Sequence, residues 1–166
     1  MNTQKMELLV ARLFRPRQNL IIPNVHWGFS IHECDLLVVS SSGFLTEVEI
    51  KISKSDLAKD SEKKHGHNDR RIKNLYFAIP EKLLDCVDLI PERAGIICVY
   101  PTIKISASKE IPWDTMRWEK AKIIRKAATN KNAKPISDDE KYQLARLGAL
   151  RIWGLKEKLI EKEGSK

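Results

Sequence analysis

Residues 3–15 place Met6, Leu9, Val10 and Leu13 on one stripe, the spacing of an amphipathic helix that Pro16 ends. NLIIPNVHWGFS (19–30) reads as a loop or a short irregular strand. HECDLLVV (32–39) and FLTEVEIK (44–51) flank Ser-Ser-Ser-Gly and predict a β-hairpin. In its second strand Glu47, Glu49 and Lys51 alternate with Val48, Ile50 and Ile52, so one face is apolar and the other charged. Ser53 and Asp56 make a capping-box pattern, which predicts a helix from near Lys54 to about His65, with Gly66 as its stop. NLYFAIP (74–80) and AGIICVYP (94–101) are nearly continuous apolar runs closed by proline. They predict strands covered on both faces, joined by a short helix in EKLLDCVDLI. Residues 114–129 read as a basic helix and NKNAKP as a polar break. Ser137-Asp-Asp-Glu140 is a second capping box, opening a helix that turns Leu144, Leu147, Leu155 and Leu159 towards the domain.

This order predicts an α/β fold with a mixed sheet of four to five strands flanked by helices. The expected division is a core over residues 1–110 and a helical, basic extension over 111–166 packed on the same domain. A length of 166 residues with 42% hydrophobic side chains suits one domain. No apolar run reaches membrane-spanning length, so the expected compartment is the cytoplasm and no membrane partner is expected. Cys34, Cys86 and Cys98 are widely spaced within apolar runs, which suits buried reduced thiols better than disulfides or a zinc site.

Charge changes the picture more. Of a net +8, residues 102–166 carry sixteen Lys/Arg against nine Asp/Glu, and residues 51–75 carry eight against four. Two basic segments of this kind could form a surface that attracts a polyanion such as nucleic acid.

A charged strand face usually meets water. Here later strands read as covered on both sides, so the charged residues would line a cleft. If Ser41-Ser42-Gly43 forms a three-residue loop with a left-handed glycine, Ser40 pairs with Phe44 and Asp35 falls opposite Glu49. Their Cβ atoms would then be roughly 5 Å apart, an arrangement that favours a cation between them. Magnesium, or manganese, suits such oxygen ligands, with the main-chain carbonyl of Ile50 as a third. Lys51 would stabilise the transition state or position water, and Glu47 would support the ligands or replace one.

Asp35, the hairpin and then Glu49-Ile50-Lys51 resemble the signature of the PD-(D/E)XK nucleases, the restriction-endonuclease-like superfamily. EIKISKSDLAKDSEKKHG followed by RIKNLYFAIPEKL looks like a bacterial DNA-repair-associated branch of it. The resemblance covers about residues 1–105, with cysteine before Asp35 where proline is usual. It implies Asp35, Glu49 and Lys51 as catalytic residues and Glu7 as the supporting acid of the first helix. The implied activity is magnesium-dependent hydrolysis of DNA phosphodiester bonds in repair or mobile-element biology, with RNA and a homodimer both compatible. Phosphate contacts are expected from Lys54, Lys63, Lys64, His65, Arg117, Lys120 and Arg125, joined by Lys122 and Lys126. Trp113 or Trp118 are available to stack on bases. His65 and His67 could contact phosphate or a metal, although histidines around a helix-end glycine are more often surface residues. Asp56 and Asp60, one turn apart, read as caps or as neighbours of the site. Two other readings stay open: a nucleic-acid-binding accessory protein that cleaves nothing, and an interaction protein whose charged strand is surface decoration.

Overall fold

The computed structural model describes residues 2–25, 29–60, 67, 69–103 and 117–164, with the side chains of 102, 103, 117 and 118 left aside. Helix α1 (Thr3–Leu13) starts at Asn2, whose side chain accepts the Lys5 N–H at 2.9 Å, and buries Met6 and Val10. Strands β1 (Leu20–Val25), β2 (Cys34–Val39), β3 (Leu45–Ile50), β4 (Ile72–Pro80), β5 (Gly95–Ile103) and β6 (Arg117–Arg125) form one sheet in chain order. The β3–β4 and β4–β5 pairs are parallel and the others antiparallel. Helix α2 (Lys54–Asp60) lies between β3 and β4 in the chain, a 3₁₀ helix (Glu81–Leu89) follows β4, and α3 (Asp138–Gly164) ends the fold.

The hairpin has the register read from its turn. Leu36 pairs with Val48, Leu37 with Glu47 and Val39 with Leu45, and the Ser40 N–H donates to the Phe44 carbonyl at 3.0 Å. Gly43 closes the loop at φ +84°, the left-handed conformation that favours glycine.

Alternation along β3 then sorts its side chains. Val48 and Ile50 join Met6, Val10 and Leu36 in the core beneath α1. The opposite face carries two separate apolar clusters. Leu37, Val39 and Leu45 pack with Leu144 and Leu147 of α3, while Leu75, Phe77 and Ile79 pack with Leu57 of α2 and Leu83 of the 3₁₀ helix. Glu47 is in register with Leu37 on one side and Leu75 on the other, and so rises between the two clusters.

The sheet has six strands, against the four to five expected. LIIPNV forms β1 despite Pro23, which an edge strand tolerates. The predicted basic helix over 114–129 is corrected as well, because residues 117–125 form β6, paired with β5. Ala121 and Ile123 pack on the α1-side core while Lys120, Lys122 and Ile124 are exposed, a period of two that the free edge of β5 imposes on an ambiguous stretch. The extension is therefore partly a strand of the central sheet.

Helix α2 is described as far as Asp60, and the rest of its predicted span lies outside the described residues. The second capping box forms in full: Glu140 N–H donates to Ser137 Oγ at 3.2 Å and Ser137 N–H to Glu140 Oε2 at 2.9 Å. Leu144 and Leu147 are buried as expected, whereas Leu155 and Leu159 are each 59% exposed. At 27 residues α3 is about 40 Å long, more than the neighbouring strands can cover. The three cysteines are free and buried, and no described helix is long and apolar enough to cross a membrane.

Candidate active site

The charged face of β3 is buried. Glu47 is 0% exposed, Glu49 1% and Lys51 5%, and such groups stay folded only if partners replace their water. They do so through a continuous chain of contacts. Lys51 Nζ lies 2.9 Å from Glu49 Oε2 and 2.7 Å from Asp60 Oδ1. Asp60 Oδ2 is 2.7 Å from His67 Nε2, His67 Nδ1 is 2.5 Å from Glu47 Oε1, and that same oxygen is 2.8 Å from His32 Nε2. Glu47 Oε2 is buried without a hydrogen-bond partner among the described residues.

Each member is placed by local structure. Ser53 Oγ accepts the Asp56 N–H at 3.2 Å and starts α2. Leu57 and Asp60, three residues apart, then share the buried face of that helix. His67 takes a left-handed φ of 56°, its carbonyl accepts from Arg93 Nη2 at 2.8 Å, and its ring lies edge-on to Phe77 and to His32. His32 approaches from the segment that leads into β2.

The electrostatics follow. Burial alone would lower the Lys51 pKa, but Glu49 and Asp60 outweigh it and raise it, so the ammonium is retained. Burial opposes charge on His67 too. Its hydrogen bonds to Asp60 and Glu47 prevail and raise its pKa to about 9, so in the metal-free protein it is an imidazolium between two carboxylates. Burial works to raise the Glu47 pKa, and the bonds from His32 and His67 overcome it to lower it.

Asp35 is half-buried at the start of β2, one residue before the Leu36–Val48 pair, and its Oδ2 accepts the Ile50 N–H at 2.7 Å. The carboxylate thus sits at the end of β3, on the main chain between Glu49 and Lys51. Glu7 of α1 is held above the usual carboxylate range by burial and by the charge of Asp35.

The structure therefore brings Glu47, Glu49 and Lys51 into one chain, sets Asp35 on Ile50 and puts Glu7 within electrostatic reach of Asp35. At Ile50 the contact seen is made by the N–H; the expected role was for the carbonyl. Lys54 is exposed at the start of α2, and Lys120, Lys122 and Lys126 are exposed on and just after β6. Arg125 is engaged within the fold: its guanidinium donates to the carbonyls of Ala94 at 2.9 Å, Pro91 at 3.0 Å and Ile90 at 3.4 Å, which pins β6 to the preceding turn. Lys63, Lys64, His65 and Trp113 lie outside the described residues, as do the side chains of Arg117 and Trp118. His67 is 2% exposed, against the surface position expected of it. His32 was missed, because nothing in its spacing marks it; Asp60 was read only as a cap or neighbour.

No protein-family model and no curated protein matches the chain. Among solved structures, the SPO1766 protein of unknown function from Silicibacter pomeroyi is similar, with a TM-score of 0.60 and 16% identity over 99% of this chain and 94% of that one. At that identity the likeness shows a shared α/β fold.

Proposed function

We propose that this chain is a metal-dependent nuclease that hydrolyses DNA phosphodiester bonds, with Asp35, Glu49 and Lys51 as its catalytic residues. The observation that carries this reading is the meeting of a retained ammonium with Glu49 at the end of the strand where the Asp35 carboxylate is anchored. The resemblance to the PD-(D/E)XK signature supports it from the sequence.

The donor chemistry fits magnesium or manganese, since the Asp35 and Glu49 carboxylates and the Ile50 carbonyl offer only oxygen. Such an ion supplies Lewis acidity and neutralises charge on a phosphodiester. The chain's own groups do the rest. Lys51, kept cationic by Glu49 and Asp60, stabilises the negative charge that grows on phosphorus-bound oxygens as water attacks. Asp60 and His67 position that lysine, and the Glu7 carboxyl stands within electrostatic reach of Asp35. Lys54, Lys120 and Lys122 supply exposed positive charge for the DNA backbone.

A second reading, a nucleic-acid-binding accessory protein that does not cleave, is favoured by one observation: Glu49 and Lys51 are 1% and 5% exposed, little surface for a phosphate to reach. Incubation with branched, single-stranded and nicked DNA in magnesium or manganese separates the two. Cleavage that disappears in Asp35→Asn supports the nuclease; tight binding with every substrate left intact supports the accessory protein.

A further inference from the structure

At Glu47 two histidines meet one buried carboxylate. His32, Glu47 and His67 each offer one ligand atom, and these atoms lie within 4.8 Å of one another. Two imidazole nitrogens converge on a single carboxylate oxygen, at 2.8 and 2.5 Å, while the other oxygen of that carboxylate is buried with no hydrogen-bond partner among the described residues. A carboxylate whose only role was to accept hydrogen bonds would spread two donors over both oxygens, because a buried unsatisfied oxygen is costly. A cation held by the two nitrogens and Glu47 would offset the charge that the unpartnered oxygen leaves without a donor.

The far side of His67 makes the same point. Its Nε2 faces Asp60 Oδ2 at 2.7 Å. With that N–H donated to Asp60, Nδ1 turns a lone pair towards Glu47 Oε1, and two acceptors at such a distance need a positive charge between them. A proton can serve, and so can a metal. A carboxylate that orients the outer nitrogen of a ligating histidine is the usual support of a transition-metal site.

We infer that His32 Nε2, His67 Nδ1 and the Glu47 carboxylate bind a divalent transition metal of the zinc or ferrous-iron class, with Asp60 orienting His67. Two imidazoles and one carboxylate are the donors such ions prefer over magnesium. At bond lengths of about 2.0–2.2 Å, donors on one ion stand about 3–4 Å apart, so entry asks the two rings to draw back by less than about 1 Å. Glu49, Asp60 and His67 form an alternative cluster, but the Lys51 ammonium lies against both of its carboxylates and supplies their countercharge. Apolar residues in register on both sides of Glu47 suit a held ion. The site is independent of whether the chain cleaves DNA.

Equilibrium dialysis of the full chain against zinc, in a large excess of magnesium and with metal content measured, tests this. Cobalt(II) absorption in the visible region reports nitrogen ligation. The expected result is one zinc per chain, at least about 100-fold weaker binding in His32→Ala and Glu47→Gln, about 10- to 100-fold weaker binding in Asp60→Asn, and wild-type binding in Asp35→Asn. His32 lies at the margin of the cluster, its side chain 11% exposed, so His32→Ala is the variant to rely on if Glu47→Gln does not fold. Failure of the folded wild type to retain zinc, or undiminished binding in folded His32→Ala, overturns the site.

Discussion

Lys51 Nζ and Asp60 Oδ1 are 2.7 Å apart, which ties the end of β3 to α2 through an ion pair almost closed to solvent. Removing one partner of a buried pair leaves the other charge without compensation and costs about 3–5 kcal/mol. Asp60→Ala takes one carboxylate from Lys51 and His67 at once and leaves them Glu49 and Glu47, so urea unfolding should place it at the lower end of that range below the wild type. A loss under about 1 kcal/mol would mean that water replaces the carboxylate at little cost.

The same chain of contacts makes metal-free stability depend on pH. His67 goes from an ordinary pKa of 6.5 to about 9 on folding. A raised value contributes stability fully present below pH 6.5 and lost as pH climbs through about 9. Denaturation midpoints taken in chelator should fall between those limits, and His67→Gln should flatten that part of the profile.

Gly95 stands beside Tyr76 in the parallel β4–β5 pair. A Cβ there would lie 2.2 Å from the tyrosine ring and 2.7 Å from the Ala127 nitrogen, and the main-chain atom cannot swing aside. Gly95→Ala should cost about 1–3 kcal/mol through overpacking, measured as a lower unfolding midpoint.

Arg125 and Lys120 should part company when mutated. Arg125→Ala removes the guanidinium that serves three carbonyls, so it should lower stability by about 1–3 kcal/mol and leave DNA affinity unchanged. Lys120→Ala should leave stability unchanged. If Lys120 touches a phosphate, the salt dependence of DNA binding should fall by about 0.9 in log–log slope.

What could be read in the chain was whatever depends on neighbours in sequence. The hairpin register followed from Gly43 and its loop, because loop length and a left-handed residue dictate which residues face each other. The Ser137–Glu140 cap followed from a four-residue pattern, and the isolation of Glu49 and Lys51 on one face from simple alternation. The missed features depend on distant partners. RWEKAKIIR carries apolar residues compatible with either period, and only the open edge of β5 makes it a strand. Leu155 and Leu159 sit on the same helical stripe as Leu144, yet the domain ends before they reach it. His32 joins the site through a side-chain direction set by the approach to β2, and His67 through a left-handed turn, neither of which leaves a spacing to recognise.

The central claim, that Lys51 and its neighbouring acids form a hydrolytic centre, is tested most directly by single-turnover cleavage of a labelled DNA substrate by folded Lys51→Ala in saturating magnesium. Loss of the ammonium should lower the rate by about 10²–10³-fold while the DNA dissociation constant stays at its wild-type value. A rate within twofold of the wild type would contradict the account.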